Sequence, residues 1–207
     1  MLLNRAVLEH RTPSRTPEAV LRYARPAHLF AVETRRVLQA EDMVDLDLKR
    51  VAWQARALMV DCLAELAPEL QGELLLALAE ESPGPLHDRL DPSTDALAER
   101  IVPFFTRCVQ EDRFDEAARL EPWMHDLDRV CRVTRAAPER LLRALFAVGV
   151  QHLVHHKAPG PAWAAFGRMA QEARVMLASG AHAEIARHFL TVAEEHVRLA
   201  ANRLGSV

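Results

Sequence analysis

The chain has 207 residues, half of them hydrophobic and 27% charged, with a formal net charge of -3. That length and composition suit a globular core and exclude a chain disordered throughout. The acidic balance argues against a dedicated nucleic-acid-binding domain, whose affinity depends on neutralising phosphates.

Charge is unevenly spread. Residues 1–40 are rich in arginine, residues 41–112 are strongly acidic, and the remainder is mildly basic. The three cysteines, Cys62, Cys108 and Cys131, form no CxxC pair and fall on apolar helical stripes. They read as small buried hydrophobes in a reducing compartment. The opening MLLNRAVLEHR is too short and too charged for a signal peptide, and no apolar run is long enough to span a bilayer. A cytoplasmic protein without membrane association is expected.

In chain order, residues 1–15 read as a flexible basic arm. Thr16-Pro17-Glu18 is a helix start, with a hydroxyl before a proline at the first helical position. Arg25-Pro26 is expected to end this short helix, and a second follows over about 27–39. Val44, Leu48, Val51, Ala55, Leu58, Cys62 and Leu66 recur at three- and four-residue steps, predicting an amphipathic helix over 43–66. Another runs from Glu69 to Glu81, closed by SPGP at 82–85, with loop to Pro92.

Ser93 or Thr94 caps the next helix, to about Gln110, which Pro103 should kink. A helix from Arg113 is interrupted at Pro122 and leads into one ending near Thr134. Pro138 opens a helix over 139–156, where Leu141, Leu142, Leu145, Val148 and His152 form a broad inward face. Gly149 on that helix permits close approach of a neighbouring backbone. KAPGP at 157–161 is a firm break before two last helices, about 162–178 and 181–204, separated by the Ser179-Gly180 cap. Strand and hairpin signals are missing. The expected fold is all-α, an antiparallel bundle or short α-hairpin stack of eight or nine helices. Its parts are 16–92 and 93–207, packed as one domain.

Residues 104–178 carry a resemblance. An aromatic residue, then Glu-Ala, then an acidic residue before Trp stand in EDRFDEAARLEPW (111–123). A Pro-Glu-Arg start, a long apolar helix and a His near its end follow in PERLLRALFAVGVQHLVHH (138–156). A Pro/Gly break precedes the Ala-rich APGPAWAAFGRMAQEA. This pattern resembles the bacterial domain of unknown function family 309, which implies a small all-helical domain. The resemblance carries Glu116, Trp123 and His152 as positions of functional interest. It departs where the family has His-Glu and this chain has Ala118-Arg119.

Two constellations can carry chemistry. His152, His155 and His156 form H-x-x-H-H at a helix end, and the 152/156 spacing places two imidazoles a turn apart, able to chelate a divalent metal. His182 or His188 could add a ligand. Glu121/His125 and Glu184/His188 have a four-residue spacing that also suits ordinary surface pairs. Trp123, Phe146, Trp163 and Phe166 are candidates to line a groove for a ligand or partner helix. No phosphate loop, GxSxG elbow, HExxH or Rossmann fingerprint occurs. The leading expectation is a non-enzymatic scaffold or protein-interaction module, with a protein partner or self-association and no cofactor. The alternatives are a metal-dependent enzyme or sensor using the histidines, and a small-molecule-binding regulatory domain.

Overall fold

Several helices of this chain begin at a proline, Pro17, Pro68, Pro92, Pro138 and Pro159, and alanine and leucine supply much of what they bury. The computed structural model describes residues 1–40, 46–81, 92–180 and 182–205. Among them lie ten α-helices, one π turn and no strand, so the fold is all-α. No described helix is long and apolar enough to cross a membrane. The SPGP terminator and most of the loop after it lie outside the described residues. The chain divides into two compact units, Met1–Leu97 and Ala98–Val207.

The N-terminal unit contains α1 (Leu2–Arg11), α2 (Pro17–Ala40), α3 (Leu46–Leu63), α4 (Pro68–Glu81) and the start of α5 (Pro92–Gln110). Most of the stretch expected as an arm is helix α1, which packs on α2 and α3 and buries Ala6. Thr16 caps α2 through Oγ1, which accepts from the Ala19 amide at 3.2 Å. Pro26 does not end that helix: α2 runs through it as one element of 24 residues.

Tertiary packing explains the difference. Val20 and Ala24 before the proline and Ala27 and Ala31 after it are all buried, one continuous stripe facing its neighbours. Burial along that stripe outweighs the roughly 3 kcal/mol that an interior proline costs a helix. Beside it, His28 is buried and its Nδ1 lies 3.2 Å from the Ala52 carbonyl oxygen of α3.

The C-terminal unit continues α5 and adds α6 (Phe114–Met124), α7 (Leu127–Thr134), α8 (Pro138–Val150), π1 (Gln151–His155), α9 (Pro159–Ala178) and α10 (Ala183–Leu204). Pro103 and Pro122 both lie inside helices. The break expected at Pro122 instead falls after Met124, where Asp126 accepts the Arg129 amide at 3.0 Å and caps α7. A carboxylate cap supplies a positive start signal there, which decides the boundary.

Ser179 and Gly180 close α9 as expected, with Gly180 left-handed at φ 71 and its amide donating to Leu177 O. The short connection makes α9 and α10 a helical hairpin, and α8 packs along α9. Leu141, Leu142, Leu145, Met169, Ala170, Ala173 and Ala193 form one buried core cluster of α8, α9 and α10. Gly149 does allow a close approach, though by a side chain and not a backbone. A Cβ there would lie 2.5 Å from Cζ of Phe166.

Candidate functional site: a carboxylate among histidines

The helix that begins at Pro138 does not stay α-helical to His156. At Gln151 it widens into π1, where the His156 amide donates to Gln151 O at 3.2 Å, five residues back. Such bulges insert one residue into a helix and often occur where side chains must be re-aimed for function. This one is braced. The Ala158 amide donates to His152 O at 2.8 Å, Arg203 Nη1 to Leu153 O at 3.2 Å, and Gln151 Nε2 to Phe114 O at 3.2 Å. The last bond ties π1 to the first turn of α6.

That junction brings four side chains together. Glu121 on α6 points its Oε1 to His125 Nε2 at 3.4 Å and to His152 Nδ1 at 3.3 Å. Its Oε2 meets His156 Nε2 at 2.5 Å. One ligand atom from each of Glu121, His125 and His152 lies within 4.8 Å of the other two, a grouping able to hold a metal ion. The Glu121 side chain is 14% exposed and the His125 side chain 62% exposed, so the cluster has a sheltered floor and an open side. Its carboxylate is partnered by three imidazoles. A poorly hydrated carboxylate needs a compensating positive charge, which either a protonated imidazole or a bound cation supplies.

Burial pushes the His152 pKa below the ordinary histidine value; the Glu121 carboxylate acts against that shift, and the neighbouring His156 and His125 reinforce it. The result favours neutral imidazole, the form that binds metals.

The histidines expected to act together divide. His152 and His156 meet at Glu121. His155 stacks on Phe114, with ring centroids 5.9 Å apart and planes inclined by 17°, and packs edge-on against His156 at 4.8 Å. His188 lies on α10 at the rim of a separate cavity. Of the positions singled out by the family resemblance, Glu116 pairs with Arg113, Trp123 is core and only His152 belongs to the cluster. Glu121 and His125 are the members that spacing alone left as an ordinary pair. The signal available was Glu-x-x-x-His on α6, but nothing local says that a second histidine pair comes to meet it.

The aromatic groove divides too. Trp123 and Phe166 are fully buried, and Trp163 is half exposed on α9. Phe146 packs on Phe166 with centroids 5.9 Å apart and borders the cavity of α5, α8 and α10. Trp123, Trp163 and Phe166 do not line that cavity. No family model, curated protein or solved structure matches this chain.

Proposed function

We propose that the C-terminal unit is a divalent-metal-binding module, with Glu121, His125 and His152 as ligands and His156 holding the second carboxylate oxygen. The observation that carries this reading is the convergence of three ligand atoms within 4.8 Å from α6 and a π turn. Ligands ~2.0–2.1 Å from a tetrahedral zinc ion lie roughly 3.3–3.4 Å from one another. The separations from Glu121 Oε1 to the two imidazoles, 3.3 and 3.4 Å, have that length, and the edge between the imidazoles falls within 4.8 Å, so a bound ion would draw the rings in. Two histidines and one glutamate also leave a fourth position for water, the ligand count of catalytic zinc sites. With His125 on the exposed side of the cluster, that position would be open to water.

A scaffold acting through α9 has less support. Trp163 and Val175 are its large exposed apolar residues. At about 100° per residue, the twelve-residue step from Trp163 to Val175 leaves these side chains roughly 120° apart around the helix. They do not make one strip.

The test is metal content in protein purified without a histidine tag or chelator, followed by zinc titration of the stripped protein. Near one equivalent of tightly held metal, lost in His152→Ala, is expected. Protein that neither retains metal nor takes up zinc, iron(II), cobalt(II) or manganese(II) would overturn the reading.

A further inference from the structure

A second site lies on the same unit, away from the histidine cluster. It is a cavity of about 570 Å³ walled by α5, α8 and α10. Phe146, Ala147 and Val150 of α8, with Ile185, Phe189 and Val192 of α10, make its apolar wall. Cavities of this size, with apolar walls and few polar groups, are the usual form of small-molecule sites. An apolar wall left open to water is unfavourable, and an apolar occupant relieves that.

The rim decides the chemistry of the occupant. Arg143 is held by Glu139, with Nε at 3.0 Å and Nη2 at 2.7 Å from Oε1, so its charge is answered within α8. Glu184 and His188 stand one turn apart on α10, and Gln110 presents an amide at the end of α5. Charges of both signs border the cavity: Glu139 and Arg143 answer each other, and the exposed Glu184 stands beside His188. An anionic head group would have to displace Glu139 from Arg143 and would face Glu184, and a cationic one would have only the water-exposed Glu184 to answer it.

We infer that this cavity binds an uncharged lipophilic small molecule, its aromatic or alkyl body against Phe146, Phe189 and Val192 and a hydrogen-bonding group near Gln110 or His188. The concave, three-walled form suits a small molecule better than a flat protein surface. This inference stands apart from the metal reading, because none of the walls belongs to the Glu121 cluster.

The experiment is fluorescence titration with N-phenyl-1-naphthylamine, a neutral lipophilic probe that brightens in apolar surroundings, alongside its anionic analogue 1-anilinonaphthalene-8-sulfonate. Saturable binding of the neutral probe near one equivalent is expected, with the anion at least tenfold weaker. Val150→Trp and Val192→Trp each place an indole in the cavity from a different wall. Each should weaken the neutral probe tenfold or more while circular dichroism and melting temperature stay close to wild type. If one variant fails to fold, the other and the wild-type titration still decide. Absence of saturable binding by wild type would overturn the proposal, as would binding that survives in the folded filled variants. So would a wild-type dimer that becomes monomeric in Val192→Trp and binds no probe, since the cavity face would then be an interface between copies.

Discussion

Glu121 and His156 are thirty-five residues apart in the chain, yet the carboxylate Oε2 and the imidazole Nε2 meet at 2.5 Å. The contact pins α6 to the C-terminal end of π1. It also leaves the other carboxylate oxygen facing His125 and His152. The proposed metal site depends on this division of labour: Oε2 is held by His156, while Oε1 would exchange its bond to His125 for the ion.

Substitutions should therefore rank in a particular order. Glu121→Gln and His152→Ala remove ligands and should abolish stoichiometric zinc binding. His156→Ala leaves the ligands in place and should weaken binding by about 10–100-fold, the usual cost of losing a group that orients a ligand. His155→Ala removes a ring that stacks on Phe114 and packs edge-on against His156, and should cost clearly less affinity than His156→Ala. Competition titration against a chromophoric chelator measures all four, and an equal loss in His155→Ala would contradict the assignment.

His152 should contribute less proton competition against zinc in mild acid than an ordinary imidazole ligand would. Protons compete with the metal for each imidazole, and His152 has its pKa lowered chiefly by burial. It stays neutral into the range where an ordinary histidine is protonated, so its own proton competition starts at lower pH. Isothermal titration between pH 7.5 and 5.5 tests this in wild type. His152→Asp, which supplies a carboxylate ligand instead, should show a different pH slope.

Asp126 caps α7 immediately after His125, so its loss should be felt twice. Asp126→Ala forfeits the bond from the Arg129 amide and should cost about 1 kcal/mol of stability. Loosening the cap also frees His125, so zinc affinity should fall too, whereas Asp126→Asn should retain most of both. Denaturant unfolding and zinc titration on the same samples separate the two effects.

Gly149→Ala tests the packing of α8 on α9. The added methyl would meet the Phe166 ring, with Cζ at 2.5 Å and Cδ1 at 2.7 Å, and the ring is fully buried. A loss of about 1–3 kcal/mol is expected, the usual cost of overpacking. Adding Phe166→Leu should recover part of it, and a double-mutant cycle of urea unfolding measures the coupling.

The N-terminal unit should lose stability in acid through His28. Burial is the main cause that pushes its pKa from 6.5 down to about 4, and the bond to Ala52 only partly opposes it. The unfolded chain takes up the proton near pH 6.5 and the folded one only near pH 4. The stability contributed by the neutral ring is therefore complete above pH 6.5 and lost as pH falls toward 4. The shift corresponds to about 3 kcal/mol at most. Urea midpoints at pH 7, 5.5 and 4.5 should fall more steeply in wild type than in His28→Leu.

Local chemistry decided much of this protein. The proline and hydroxyl starts at Thr16-Pro17 and Pro138, the Ser179-Gly180 stop and the absence of any β pattern define an all-helical chain, because caps and periodicity act within a turn or two. Where a local signal and packing disagreed, packing prevailed. Pro26 should have divided α2, but the alanine stripe on either side of it is buried against neighbours that the local sequence does not name.

The candidate site shows the same limit. H-x-x-H-H was visible, and so was the Glu121/His125 spacing, each compatible with an ordinary helix surface. The register of π1 and the approach of α6 selected His152 and His156, turned His155 toward Phe114, and supplied Glu121. A ligand set drawn from helices thirty residues apart is a property of their packing, so only the tertiary structure could assemble it.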